Sequence, residues 1–177
     1  MYAGLVQTLG AFALLSIATA VALGAALVLP KGRAGLRGTL RGHERHPIAW
    51  AWVLALVATV GSLYFSEVVG FVPCSLCWYQ RIAMYPLVFV LGVGTVTGDP
   101  GVWRFALPLP LVGALISGYH IVVQHQPALE LVPCGSGPPC SGRWVAVFGF
   151  VTIPVMAGAA FLLIAMLLIT IRTVQKS

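Results

Sequence analysis

From Leu5 to Leu29 the chain runs for about 25 residues without a charged side chain, long enough as a helix to cross a hydrocarbon core of roughly 30 Å. Four more apolar stretches follow, at Ile48–Val69, Trp78–Val96, Phe105–Val123 and Val151–Ile171. In lipid every backbone N–H and C=O must find its partner within the segment, so such runs are read as helices. Composition agrees, with 59% of residues hydrophobic and 8% charged, about a third of the charged share of a soluble domain. The reading is an all-α integral membrane bundle surrounded by a lipid bilayer. The first run lacks a basic segment ahead of it and is too long for a signal peptide, so it is expected to remain as a membrane helix.

The net charge is +6, yet no folded basic face holds the cations, so nucleic acid is not expected as a partner. They sit between apolar runs, where they act as topology signals and contacts to anionic lipid. With five spans, Lys31, Arg33, Arg37, Arg41, Arg45, Arg104, Arg172 and Lys176 share one side, which is eight of the ten cations. The positive-inside rule makes that side cytoplasmic. The segment Lys31–Pro47, rich in glycine, reads as a flexible loop in which His43 and His46 are solvated. Trp50 and Trp52 read as interfacial anchors, and Glu67 as an interfacial carboxylate or a proton donor to nearby thiols. Gly94 and Gly98 have the spacing of a helix-packing motif, which means little in a chain with 20 glycines.

The cysteines carry the chemistry. Cys74 and Cys77 stand in Phe71-Val-Pro-Cys-Ser-Leu-Cys-Trp-Tyr-Gln-Arg81, directly ahead of an apolar run. Pro73 suits the start of a helix, and residues at i and i+3 share a helix face. Unsatisfied N–H groups and the positive end of the helix dipole favour a thiolate there, so a Cys-x-x-Cys pair at this site can cycle between dithiol and disulfide. The second pair, Cys134-Gly-Ser-Gly-Pro-Pro-Cys140, sits in a loop whose short spacing allows a local disulfide. Two crossings separate the pairs, so both emerge on the outer, oxidising face. Thiol–disulfide exchange passes through mixed disulfides, and a loop pair can visit a soluble partner and return.

Electrons reaching Cys74 and Cys77 need an acceptor. No haem, flavin or iron–sulfur signature is present, and a lipid-soluble quinone is what such a site can reach. Arg81, at i+4 from Cys77, shares its face and can stabilise a thiolate or donate to a quinone oxygen. The plainer reading of Arg81 is a snorkelling anchor. Trp78 and Tyr79 divide between interfacial belt and cofactor contact, and His120 and Gln124 between helix-end polar groups and quinone contact. Glu130 and Arg143 read as solvated loop residues. A Cys₄ zinc site or two structural disulfides are the alternatives for the cysteines, although the second spacing is long for zinc. A metal is therefore not expected.

The ordered set Pro73-Cys-Ser-Leu-Cys-Trp-Tyr-Gln-Arg81, Met84-Tyr85-Pro86, His120-x-x-x-Gln124, Cys134/Cys140 and Phe148-Gly-Phe-Val-Thr-Ile-Pro154 resembles the disulfide bond formation protein B (DsbB) family, particularly its BdbC-like branch. The resemblance covers roughly residues 48 to 171. It implies a four-helix oxidoreductase of the bacterial cytoplasmic membrane that reoxidises a thioredoxin-fold, DsbA-like dithiol oxidase. The electrons pass to ubiquinone or menaquinone. By position, Cys134 is similar to the cysteine that joins the partner, Cys140 to its resolving mate, and Cys74 to the one that exchanges with the loop pair. Cys77 matches the quinone-proximal thiolate, Arg81 the quinone-site arginine, and His120 a histidine near it. Residues 1–47 then form an extra membrane helix with a basic loop, ahead of a core at 48–177. The second loop is short, and its cysteines lie closer together than in longer-loop members. Vitamin K epoxide reductase also couples thiols to a quinone, but its loop cysteines precede the Cys-x-x-Cys. Here the order is reversed. A non-enzymatic metal-binding or structural membrane protein is the alternative from another class.

Overall fold

A computed structural model describes residues 2–43, 45–130 and 137–175. Cys134, Glu44 and Lys176 lie outside the described residues. The chain is all-helical: α1 (Tyr2–Val28), α2 (Pro30–Leu40), α3 (Arg45–Leu63), α4 (Ser75–Thr97), α5 (Trp103–Ala106), α6 (Pro108–His125) and α7 (Ile153–Gln175). Four helices are long and apolar enough to cross a membrane, and a fifth span results if the bent pair Pro100–Ala106 and Pro108–His125 counts as one.

The apolar runs become α1, α3, α4 and α7 within a few residues of their expected limits. Three local readings change. The expected loop after α1 contains α2, an exposed helix. Pro30 presets its first turn, and Arg33 donates from Nε and Nη2 to the Leu27 carbonyl at 3.0 and 2.8 Å, capping the end of α1. The fourth span is bent by 43°, because Pro108 has no N–H to continue the ladder. Trp52 is not an interfacial anchor. Its indole N–H donates to the Val88 carbonyl at 3.0 Å and ties α3 to α4.

Helix α7 is the centre of the bundle, packing against α1, α3 and α6, while α4 packs against α3 and α6. Ile48, Leu87, Leu91, Phe161, Ile164, Leu168 and Ile171 fill the middle. A Cβ on Gly113 would lie 2.4 Å from the Phe161 ring, so only glycine lets α6 approach α7 there. The α3–α4 and α6–α7 connections share one end of the bundle with the start of α1. At the opposite end, Trp103 donates to Gln175 at 2.6 Å, and Arg104 and Arg172 lie over its ring. The bundle therefore separates a cysteine end from a basic end.

Candidate redox site

Helix α3 does not stop cleanly. It ends in a π-helical turn, Tyr64–Val68, and Gly70 then takes φ +82°. The strand-like segment that follows delivers Cys74 as the N-cap of α4. There its sulfur accepts from the Cys77 N–H at 3.4 Å, satisfying one of the orphan donors of the first turn. The two sulfurs are 2.7 Å apart and share a hydrogen bond. The Cys74 thiol is pushed up to about 12, first by that bond and then by burial. Cys74 therefore holds its proton.

The two cysteines face different surroundings. Cys74, only 4% exposed, packs with Leu76, Val123 and the fully buried Cys140. Its sulfur lies 3.8 Å from His120 Nε2, which is also 3.0 Å from the Cys140 carbonyl oxygen. On the other side of the ring, Gln80 Nε2 lies 3.3 Å from Nδ1. If the amide donates to Nδ1, the imidazole proton sits on Nε2, where it serves the carbonyl and leaves the sulfur within reach. Gln124 supports the same loop, donating to the Gly142 carbonyl at 3.2 Å while accepting from Thr152 at 2.8 Å. Arg143 donates to the Gln124 carbonyl at 3.1 Å, so it fastens this loop to α6.

Cys77 lines an open cleft. Its walls come from α1, α3, α4 and α7, and Phe71 stacked on Trp144 at 5.2 Å covers it near the cysteines. The lining is apolar except for a small polar patch. There Arg81 donates from Nε to Ser62 Oγ at 3.1 Å and from Nη2 to the Ser62 carbonyl at 3.2 Å. Tyr85 Oη lies 3.3 Å from the same Ser62 hydroxyl. Arg81 also sits over the Trp78 ring, 5.1 Å from its centroid. The guanidinium is thereby fixed in direction with N–H donors to spare.

Of the expected site residues, Cys77 and Arg81 meet at this cleft, and Cys74, Cys140 and His120 meet next to it. Tyr79 is 46% exposed and, like His120 and Gln124, does not line the cleft. The physical reason is helix rotation: Tyr79 is two residues from Cys77 and faces away, while His120 and Gln124 come from α6, on the loop side of α4. Glu67 accepts from Ser66 at 2.9 Å. Sequence reasoning missed Ser62, Gln80 and Thr152. Gln80 and Ser62 could have been noticed as polar residues inside apolar spans, where such groups need a partner. Thr152 gives the same signal more weakly, because it stands at the very start of the last apolar run.

Cys74, Cys77 and His120 offer three ligand atoms within 4.8 Å of one another, a set that suits zinc by type. His120 Nε2 also lies 3.0 Å from the Cys140 carbonyl oxygen, closer than the 3.8 Å to the Cys74 sulfur.

A membrane bundle with a Cys-x-x-Cys at a helix N-cap, its first cysteine buried against a second cysteine-bearing loop, holds the parts that thiol–disulfide exchange needs. Residues 44–171 match the model of the family Disulfide bond formation protein DsbB, and the chain belongs to that family. It is 53% identical over 115 residues to Disulfide bond formation protein C of Bacillus subtilis (strain 168), covering 64% of this chain and 83% of the relative. It is 45% identical over 123 residues to Probable disulfide formation protein C 1 of Bacillus anthracis, covering 69% and 88%. A Probable disulfide formation protein of Oceanobacillus iheyensis is 48% identical over 121 residues, covering 66% and 81%. No solved structure matches the chain significantly. Helices α1 and α2 both precede the matched segment.

Proposed function

We propose that the chain is a thiol:quinone oxidoreductase that reoxidises a thioredoxin-fold, DsbA-like dithiol oxidase and passes the electrons to a membrane quinone. The proposed setting is the bacterial cytoplasmic membrane, with the cysteine end outside. One observation carries the reading: adjacent cysteines of a single helical turn open onto two different places, Cys74 toward the Cys140 loop and Cys77 into an apolar cleft. A flat apolar ring with carbonyl acceptors suits this cleft, because the walls are apolar and the polar patch offers spare N–H donors from Arg81. Ubiquinone and menaquinone share that chemistry. When bound, the quinone supplies a two-electron, two-proton acceptor.

The chain's own residues do the rest. The partner dithiol opens Cys134–Cys140 through a mixed disulfide on Cys134 and leaves as a disulfide, so the loop pair becomes the dithiol. That dithiol then opens Cys74–Cys77 by attack on Cys74, re-forming Cys134–Cys140. Cys77 is released as thiolate beside the cleft, and Cys74 keeps the second proton. His120 holds the Cys140 backbone against Cys74, and Arg81 positions and polarises whatever acceptor oxygen reaches it. Each exchange moves two electrons, and about 30 mV of potential difference drives it by about 1.4 kcal/mol.

Anaerobic mixing of reduced thioredoxin-fold partner, purified protein and a quinone tests this through the quinone absorbance. Loss of one quinone per partner oxidised is expected, and absence of any loss would refute the reading. A metal-holding reading rests on the Cys74, Cys77 and His120 ligand atoms. Metal analysis with a thiol titration separates the two, since stoichiometric zinc with no disulfide would favour the metal.

A further inference from the structure

Helix α1 lies outside the segment matched to the family, yet it supplies part of the cleft that Cys77 lines. Leu9, Phe12, Ala13 and Ser16 border it, at the i, i+3, i+4, i+7 spacing that forms one helix face. Ala13 and Ser16 of this face are buried and Leu9 is half-buried, while Phe12 is 58% exposed, as are Leu15, Val21 and Val28 elsewhere on α1.

Two contacts fix where α1 stands. A Cβ on Gly10 would lie 2.9 Å from Val147 Cγ1, so the α1 backbone presses directly on the turn that precedes α7. Val6 and Ala13 join Phe65, Val145, Val147, Val151 and Ala159 in one buried cluster. Along its length α1 packs on α7. Toward α3 it makes a looser approach, with Leu9 Cδ1 placed 3.9 Å from a Cβ built on Gly61. The cleft lies in that space. Leu54 and Ala58 of α3, Arg81 of α4 and Met156 of α7 line the same cleft from the other helices.

We infer that the Leu9–Phe12–Ala13–Ser16 face of α1 is the lipid-side wall of the quinone site and selects what enters it. The inference rests on the quinone reading above. Its chemistry is simple: the wall turns an open groove into a bounded cleft, and bulk at Ser16 takes up space that the ring or the first tail unit would occupy. Ser16 also brings a hydroxyl to a lining that is otherwise mostly apolar.

The test uses full-length protein in lipid nanodiscs with a photoreactive azidoquinone, followed by peptide mapping. Labelling of α1 peptides together with those of α3 or α4 is expected. Labelling of α3, α4 or α7 with none on α1 overturns the wall while leaving the quinone reading intact. No specific labelling of any segment overturns the quinone reading and the wall with it. Equilibrium binding of a short-tailed quinone provides the second readout. Ser16→Phe should weaken it about tenfold, and Leu9→Ala should change the preference between short and long tails. Unchanged affinity and tail preference in both variants would overturn the wall.

Discussion

The two sides of one helical turn differ more than their spacing suggests. Around Cys74 the polar groups are shared: His120, Gln80 and the Cys140 carbonyl form a connected set, and Cys74 itself is packed away from the cleft against Leu76, Val123 and Cys140. Around Cys77 the walls are apolar and the space is open, with one cation held in place by Ser62. A Cys-x-x-Cys pair so placed faces a second cysteine on one side and an apolar cleft on the other. Exchange with another sulfur needs a positioned backbone and a controlled proton. Transfer to a lipid-soluble acceptor needs room and a fixed positive charge. An N-cap supplies both, because the capping residue lies outside the helix while the residue three positions later lies on its wall.

The largest effect should come from removing the cleft-side sulfur. Cys77→Ser should abolish quinone reduction by reduced partner, and residual turnover in a rapid-mixing assay would break the division of labour. Next is Arg81→Ala. Hydrogen bonds to charged groups contribute about 1.5–3 kcal/mol, so the apparent KM for quinone should rise about 10- to 100-fold with the partner KM unchanged. Equal shifts in both would count against a cleft-side role. His120→Ala should do the reverse, slowing transfer from the loop pair to Cys74 by about 3- to 10-fold through loss of neutral hydrogen bonds. Single-turnover thiol trapping reads that step. A shift in quinone KM instead would place His120 on the cofactor side.

Much of the architecture was legible in the sequence because membrane helices need long apolar runs, and those runs are unmistakable. The Cys-x-x-Cys at a helix start was legible for a similar reason: Pro73 and the apolar run after it leave few alternatives. What escaped depended on rotation and on contacts between distant segments. Trp52 reads as an anchor until Val88 is known to lie beside it. Helix α2 reads as a loop because Gly32, Gly35 and Gly38 weaken helix propensity, while the Arg33 cap on Leu27 is visible only in three dimensions. His120 and Gln124 read equally as helix-end polar groups or quinone contacts, because one-dimensional spacing on α6 does not show which side of α4 they meet. The α1 wall had no signal, since an apolar face on an apolar helix looks like any other.

The smallest expected effect concerns the proton on Cys74, and it discriminates well because its sign is fixed. The hydrogen bond to Cys77 is the largest cause that raises the Cys74 thiol, burial also raises it, and the His120 contact opposes both. A raised thiol remains protonated through the range where an ordinary thiol, near 8.5, would ionise. Only the thiolate is alkylated at useful rates. Cys77→Ala removes the largest raising cause, so the pH midpoint for Cys74 alkylation should move down. His120→Ala removes the opposing contact, so its midpoint should move up. Mass spectrometry of iodoacetamide-treated protein across a pH series measures both. If the two variants move the midpoint in the same direction, His120 and Cys77 do not act on Cys74 from opposite sides, and the contrast between the two faces of the turn fails at its proton.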